Sequence, residues 1–203
     1  MLFYLINHSN TEKKNHVQVK MKNFIIYSSV LVILTVIISS VKVEGQYFCR
    51  STGVFRGYSP PAGQCSSNCC VQTTVYFTFG CSPMVTNQTA GVLTLKAFQN
   101  YRGRVRSKCD SKYYPDMVPV VALSTGWYNG GTRCGKAILI SANGKSVKAW
   151  VIDECDSTKG CDASEGYHPP CGYNIVAGSK VVWRALGVPQ TQSGNLSITW
   201  ADV

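Results

Sequence analysis

The side chains that could do chemistry in this chain are carboxylates gathered behind one strand-like run. Asp153, Glu154, Asp156, Asp162 and Glu165 fall close together, interleaved with Cys155 and Cys161. Carboxylates placed this way can face a groove and hydrogen-bond a ligand. They can equally accept backbone N–H bonds inside a tight loop that the cysteines hold. For Asp153 both readings stand. His168 precedes Pro169-Pro170-Cys171 with no Ser or Cys nucleophile paired to it, so an exposed loop histidine is expected there rather than a catalytic one. Thr125, Trp127, Tyr128 and Asn129 sit in a Gly-rich stretch. Two adjacent aromatic rings in such a loop are not expected to be core together. A ring that keeps one face wet suits a sugar or a protein partner, and the plainer alternative has Trp127 capping the fold. Arg102, Arg104, Arg106 and Lys108 alternate with other residues, which puts the four charges on one face at strand spacing. That face is either a solvated edge protected by charge or a patch for an acidic partner.

Cysteine is the other reactive residue in quantity. All ten cysteines lie from Cys49 to Cys171: Cys49, Cys65, Cys69, Cys70, Cys81, Cys109, Cys134, Cys155, Cys161 and Cys171. Zinc would need a second C-x2-C knuckle, and only one histidine, His168, follows residue 45. Metal and cofactor binding are therefore not expected. An even count fits five bridges formed in an oxidising compartment, with connectivity open among roughly 945 pairings. Five cysteines fall in 49–81 and five in the remainder, and pairs can cross between the two sets.

Ahead of the cysteines, Lys20-Met21-Lys22 leads into the apolar run Phe24–Ile38, followed by Val43-Glu44-Gly45. At 15 residues this run falls short of the ~20 that a membrane span needs. It reads as a signal peptide over 1–45, with a retained membrane anchor as the alternative. Met21 makes the more ordinary start. Residues 46–203 carry fifteen Lys/Arg and eight Asp/Glu, a net +7. A basic exported chain suits acidic wall polymers or protein partners, and nothing in it resembles a nucleic-acid motif. No membrane association is expected after cleavage, and the protein is expected to be a monomer. Asn87-Gln88-Thr89 and Asn195-Leu196-Ser197 are acceptors for N-glycosylation.

The elements that must position these residues are mostly short strands. Residues 46–85 form a cysteine-dense opening, broken by Ser59-Pro60-Pro61-Ala62-Gly63, with one strand over Val75–Phe79. The opening is too poor in apolar residues for its own core, so it must dock on a domain spanning 86–203. Strands are expected at Val92–Leu95 and at Val118–Ser124, whose unbroken apolar run implies burial on both faces. Lys136–Ser141 and Ser146–Asp153 form a hairpin around Asn143-Gly144. One helix, Lys180–Leu186, starts at Ser179 and stops at Gly187 and Pro189, with Val182, Ala185 and Leu186 on its apolar face. A last strand covers Leu196–Trp200. Mainly-β chemistry with one short helix and many bridges points to a small barrel.

Two blocks go further. Ala122-Leu123-Ser124-Thr125-Gly126-Trp127-Tyr128-Asn129-Gly130-Gly131-Thr132-Arg133-Cys134-Gly135-Lys136 is the first. Val151-Ile152-Asp153-Glu154-Cys155-Asp156-Ser157 with Gly160-Cys161-Asp162 is the second. With the Gly178–Gly187 ending and the PPAGQC, CC and CSP runs of the opening, they closely resemble the plant kiwellin, or ripening-related protein, family. More distantly they look like expansins, barwin-type proteins and related endoglucanases. The resemblance implies a six-stranded double-psi β-barrel with a groove across one face. It also implies a non-enzymatic secreted defence or ripening-related protein that binds a protein such as a secreted pathogen enzyme. A wall-carbohydrate module of expansin-like character is the runner-up.

In the hydrolytic relatives two carboxylates flank the groove, one as acid and one as base or nucleophile. Asp153 occupies the first position, and the second falls on Ala177, where the family itself usually has Asp. One carboxylate cannot both protonate a leaving group and activate water, so catalysis is not expected. The Arg102–Lys108 stretch also departs from the family, which often has a Gly- and Asp-rich segment there.

Overall fold

The computed structural model describes residues 20–21, 26–31, 33, 48–65, 68–100, 106–192 and 194–203. The chain falls into two units, Met1–Gln46 and Tyr47–Val203. The described residues of the first are helical, and no described helix is long and apolar enough to cross a membrane.

The second unit opens with β1 (Gly53–Arg56) and β2 (Val75–Thr78), which pair antiparallel as a two-stranded ribbon. The rest is a closed barrel built from β3 (Thr89–Leu95), β4 (Val120–Ser124), β5 (Ala137–Ala142), β6 (Lys145–Cys155), β7 (Ile175–Gly178) and β8 (Leu196–Asp202). Around the barrel the strands run β3-β7-β4-β6-β5-β8. Only β5 and β6, joined by a hairpin, are neighbours in both chain and barrel; every other connection skips one strand. The skipped strands leave β3 parallel to β7 and β4 parallel to β6, while the long crossovers 96–119 and 156–174 lead from β3 to β4 and from β6 to β7. This is the double-psi β-barrel the sequence resemblance implies.

The hairpin forms where Asn-Gly allows it, with Asn143 and Gly144 at φ of 52° and 69° as a two-residue turn of this hand requires. Inside the barrel, Leu93, Val121, Leu123, Ile138, Ile140, Val151, Val176 and Trp200 are buried together. β4 is buried on both faces, as its apolar run requires. Val121 and Leu123 point inward, while Val120 and Ala122 lie beneath Phe98, Tyr114 and Val118 of the first crossover.

A one-turn helix that the sequence reading lacked, α1 (Thr125–Tyr128), follows β4 and is stopped by Asn129 in the left-handed region. It seats Trp127 edge-on to Trp200 at 5.0 Å, and Gly91 leaves the room, since an added Cβ would meet the Trp127 ring at 3.1 Å. α2 is Lys180–Ala185. Ser179 precedes it as expected but does not cap it through its side chain. Its hydroxyl instead donates to the Val118 carbonyl and accepts from Val120 N–H, tying the helix start to β4. Ala185 is exposed, and Trp183 takes its expected place in the core beside Val182 and Leu186.

All ten cysteines pair. Cys49–Cys81 and Cys65–Cys69 stay within the opening, and Cys109–Cys134 and Cys155–Cys171 stay within the barrel. Cys70–Cys161 joins the two.

Candidate functional site

Asp153 stands on the outer face of β6, next to Ala122 of β4, and Ala122 is in turn next to Ala177 of β7. The two positions assigned to the carboxylate pair are thus two strands apart on one face, about 10 Å at strand spacing. A carboxylate at 177 would share this face with Asp153. Alanine leaves it apolar, and Phe98 packs over the strip.

Asp153 itself is closed in. Its side chain is 6% exposed. Lys96 Nζ donates to Oδ2 at 2.8 Å, and the backbone N–H of Lys108 donates to Oδ1 at 2.9 Å. Both donors belong to the first crossover, so the aspartate fastens that segment onto the barrel. Each carboxylate oxygen has a partner, and the face beside it is filled by protein.

A second cluster lies alongside. The Lys108 ammonium reaches Glu154 and Asp156 at 3.0 Å each and lies 3.9 Å from Glu165, which also pairs with Lys159 at 3.1 Å. Burial works against the Lys108 charge, but its bonds to Asp156 and Glu154 and the charge of Glu165 outweigh it and hold the ammonium above its ordinary pKa. Burial likewise opposes ionisation of Asp156. Donation from Thr158 Oγ1 at 2.6 Å and Thr158 N–H at 2.9 Å, with Lys108, brings it below the usual carboxylate range. Burial prevails at Glu165, which is pushed up.

These shifts fix the sign of a pH dependence. A depressed Asp156 stabilises the fold above its unfolded pKa of about 4, and the gain is lost as pH falls through the lower folded value. A raised Lys108 stabilises below about 10.5, and that gain is lost as pH rises through the higher folded value. Melting temperature is therefore expected to be highest between these limits and to fall outside them, with the raised Glu165 acting the other way on the acid limb because its protonation favours the folded state. Lys108→Met should lower this maximum and flatten the acid limb, because the carboxylates it leaves unpaired gain from protonation. A thermal melt series from pH 2.5 to 11 (roughly the range set by these pKa values) checks this, and an unchanged acid limb would contradict it.

The remaining sequence-nominated residues do not meet at Asp153. Thr125 donates to Glu154 Oε1 at 2.6 Å and accepts from Ser157 N–H at 2.8 Å, a link between the two blocks that carry the family resemblance. Trp127 and Tyr128 are 1% and 9% exposed, so the expectation that neighbouring rings could not both be core is corrected. The turn of helix sends one ring to Trp200 and the other toward the Cys109–Cys134 bridge, where the Tyr128 hydroxyl lies 3.4 Å from Cys134 Sγ. Burial, with Glu154 and Asp153 nearby, pushes the Tyr128 phenol up. Asn129 is exposed as the residue that ends α1. Arg106 is exposed with its guanidinium 5.7 Å from the Tyr113 ring, and Arg102 and Arg104 lie outside the described residues. His168 is half-buried rather than exposed, with Nδ1 3.2 Å from the Asn68 carbonyl. Asn87 and Asn195 are both exposed.

Sequence reasoning missed Lys96 and the ammonium of Lys108, the two cations that hold the acids. Their partners lie 57 and 46 to 48 residues away, beyond any local pattern. One signal was available: residues 46–109 hold seven Lys/Arg and no Asp/Glu, so all eight acids of 46–203 fall in 110–203. Cations of the first stretch and acids of the second are natural partners.

The Kiwellin-1 family model matches residues 43–203. The chain is 45% identical over 161 residues to kiwellin of Actinidia chinensis var. chinensis, covering 77% of this chain and 73% of that protein. It is 44% identical over 155 residues to putative ripening-related protein 2 of Oryza sativa subsp. japonica, covering 76% and 79%. Among solved structures, an apo expansin of Clavibacter michiganensis aligns with a TM-score of 0.42 at 23% identity, over 57% of this chain and 50% of that one. The Streptomyces papain inhibitor aligns with a TM-score of 0.41 at 18% identity, over 59% and 96%. On the extent of the family match and the identity shared with these relatives, the chain belongs to the kiwellin family.

Proposed function

We propose that this is a secreted, non-enzymatic defence or ripening-related protein that works by binding a protein, such as a secreted pathogen enzyme, in the apoplast. In this reading residues 1–45, from Met1 or Met21, are the removed signal peptide. Residues 46–85 dock on the 86–203 barrel, and Asn87 and Asn195 are the glycan acceptors. The enclosure of Asp153 and the alanine at 177 support the absence of a hydrolytic pair.

The observation that carries the binding reading is the β1–β2 ribbon. Val54 and Phe77 are directly cross-strand, 60% and 57% exposed, and Val75 and Arg56 form the next such pair beside them. Large apolar side chains contiguous with an arginine are the composition of an interface centre. The ribbon also lies in the stretch without a single carboxylate, which suits an acidic partner. Thr125, Trp127 and Tyr128 serve the scaffold behind such surfaces, and the exposed Arg106 adds to the positive charge of the chain.

The test is affinity capture of secreted proteins followed by titration of the purified partner. Val54→Ser with Phe77→Ser is expected to weaken Kd about 100-fold, as loss of two central apolar anchors does, with the melting temperature kept. A partner that binds this double variant as tightly as the parent protein would remove the ribbon from the interface.

A further inference from the structure

The sequence reading looked to Trp127 for a ring that a sugar could stack on, and Trp127 is buried. A different tryptophan is presented. Trp150 of β6 is 46% exposed, on a face whose β5 and β8 rows follow from the register. Ile138, Ile140, Ala149 and Val151 point into the barrel, so Ala137, Leu139 and Ser141 of β5 and Ser146, Lys148 and Trp150 of β6 point out. From β8, Thr199 and Ala201 continue the same rows beside Ser141 and Leu139.

This face has an unusual make-up. Ala137 stands directly opposite Trp150 on β5 and Val120 beside it on β4, with Leu139 and Lys148 next along the face and the Ser141 and Ser146 hydroxyls, 2.7 Å apart, one residue pair beyond them. The small Ala137 leaves the indole standing above its β5 neighbour, 46% exposed. None of the eight outward residues is a carboxylate. The nearest acid of β8, Asp202, belongs to the opposite phase of its strand and is held by Arg133 at 3.0 Å. The single charge is Lys148, exposed, with its ammonium 5.7 Å from the Trp150 ring centroid.

An aromatic plane takes the apolar face of a pyranose, and hydroxyls farther along the face can bond the next sugars of a chain. An ammonium beside that plane, with no carboxylate in competition, adds selection for an acidic sugar, whose carboxylate projects from the ring edge. We propose that the outer face of β5, β6 and β8 is a glycan platform on which Trp150 stacks a sugar ring and Lys148 pairs with its carboxylate, so that the ligand is a uronic-acid polysaccharide. The site is separate from the Asp153 strip and from the β1–β2 ribbon, and it does not depend on the protein-binding reading.

The experiment is a titration of the full secreted protein by tryptophan fluorescence and calorimetry against three probes: oligogalacturonides, their methyl esters and neutral cello-oligosaccharides. Saturable binding of the free acid is expected, with the methyl ester weaker by about tenfold, the loss of one charge-assisted contact. Trp150→Ala should abolish the fluorescence response and weaken binding at least about tenfold. Lys148→Gln should weaken the acid and leave the ester unchanged. Trp150→Tyr should retain part of the affinity, which separates stacking from loss of fold, and melting curves of all three variants should match the parent protein. Equal binding by Trp150→Ala would assign any retention to diffuse charge and overturn the platform. Equal affinity for the neutral oligosaccharide would overturn the acidic ligand class, and absence of binding to all three probes would overturn both.

Discussion

Replacing Cys70 and Cys161 together by alanine is expected to lower stability by about 4 kcal/mol and the melting temperature by about 10 °C or more. The bridge spans 91 residues of sequence, by far the longest closure among the five. Even with the path shortened by Cys109–Cys134, the loop-entropy relation places it near the top of the usual range. Cys65–Cys69 closes a separation of 4 and is expected to matter by roughly half as much. The larger bridge is also the covalent link between the opening and the second crossover. Its loss should therefore free the 47–85 segment before the barrel melts. Limited proteolysis should cut within that segment in the double variant under conditions where the parent protein is intact. Equal protease resistance would mean that the remaining non-covalent contacts, among them Phe79 against Tyr173 at 5.1 Å and the backbone bonds from Phe79 N–H to Ser157 carbonyl at 2.6 Å and from Cys70 N–H to Tyr167 carbonyl at 2.9 Å, hold the opening without the bridge.

Asp153→Ala is expected to cost about 2–4 kcal/mol, because it strands the Lys108 N–H and removes the partner of the Lys96 ammonium in one step. Asp153→Asn should cost about 1–2 kcal/mol. The amide oxygen can still accept the Lys108 N–H, and the lost ion pair is worth less because the Lys96 side chain is 31% exposed. Urea unfolding of the three proteins gives both numbers. A catalytic carboxylate would show the reverse pattern, with either change abolishing turnover and the fold indifferent to both. If Asp153→Ala unfolds at the parent's urea midpoint, the carboxylate is not what anchors the first crossover.

What the sequence made legible follows from how local each signal is. The β5–β6 hairpin could be read because Asn143-Gly144 encodes its turn, and β4 because its apolar run needs cover on two sides. β7 went unread. It is a four-residue strand ending in Gly178, and its parallel partner β3 lies more than eighty residues earlier. α1 is shorter than any helical period can reveal, and its consequence, the burial of two adjacent rings, was read backwards. β1 was hidden in the cysteine-rich opening because Gly53-Val54-Phe55-Arg56 has no alternation to mark it. The barrel type came from family resemblance, since no spacing rule encodes strands that pair out of order. At the site, the resemblance drew attention to Asp153 and Ala177, which the register puts two strands apart beside Ala122. That Asp153 is sealed could not be read, because the two lysines that seal it are fixed by the path of the crossover and not by their neighbours.

The order of strands around the barrel bears on how the molecule comes into being. β8 lies between β3 and β5, so the ring of strands has a gap until synthesis has passed Asp202. A nascent chain can form the β5–β6 hairpin as it emerges, and Cys49–Cys81 and Cys109–Cys134 each join residues made within a short interval of one another. The walls of the barrel, however, must wait with their apolar edges open. In the secreted protein proposed above, closure of the barrel then follows translocation of the last strand, and the chain needs chaperone and disulfide-isomerase cover until that strand arrives.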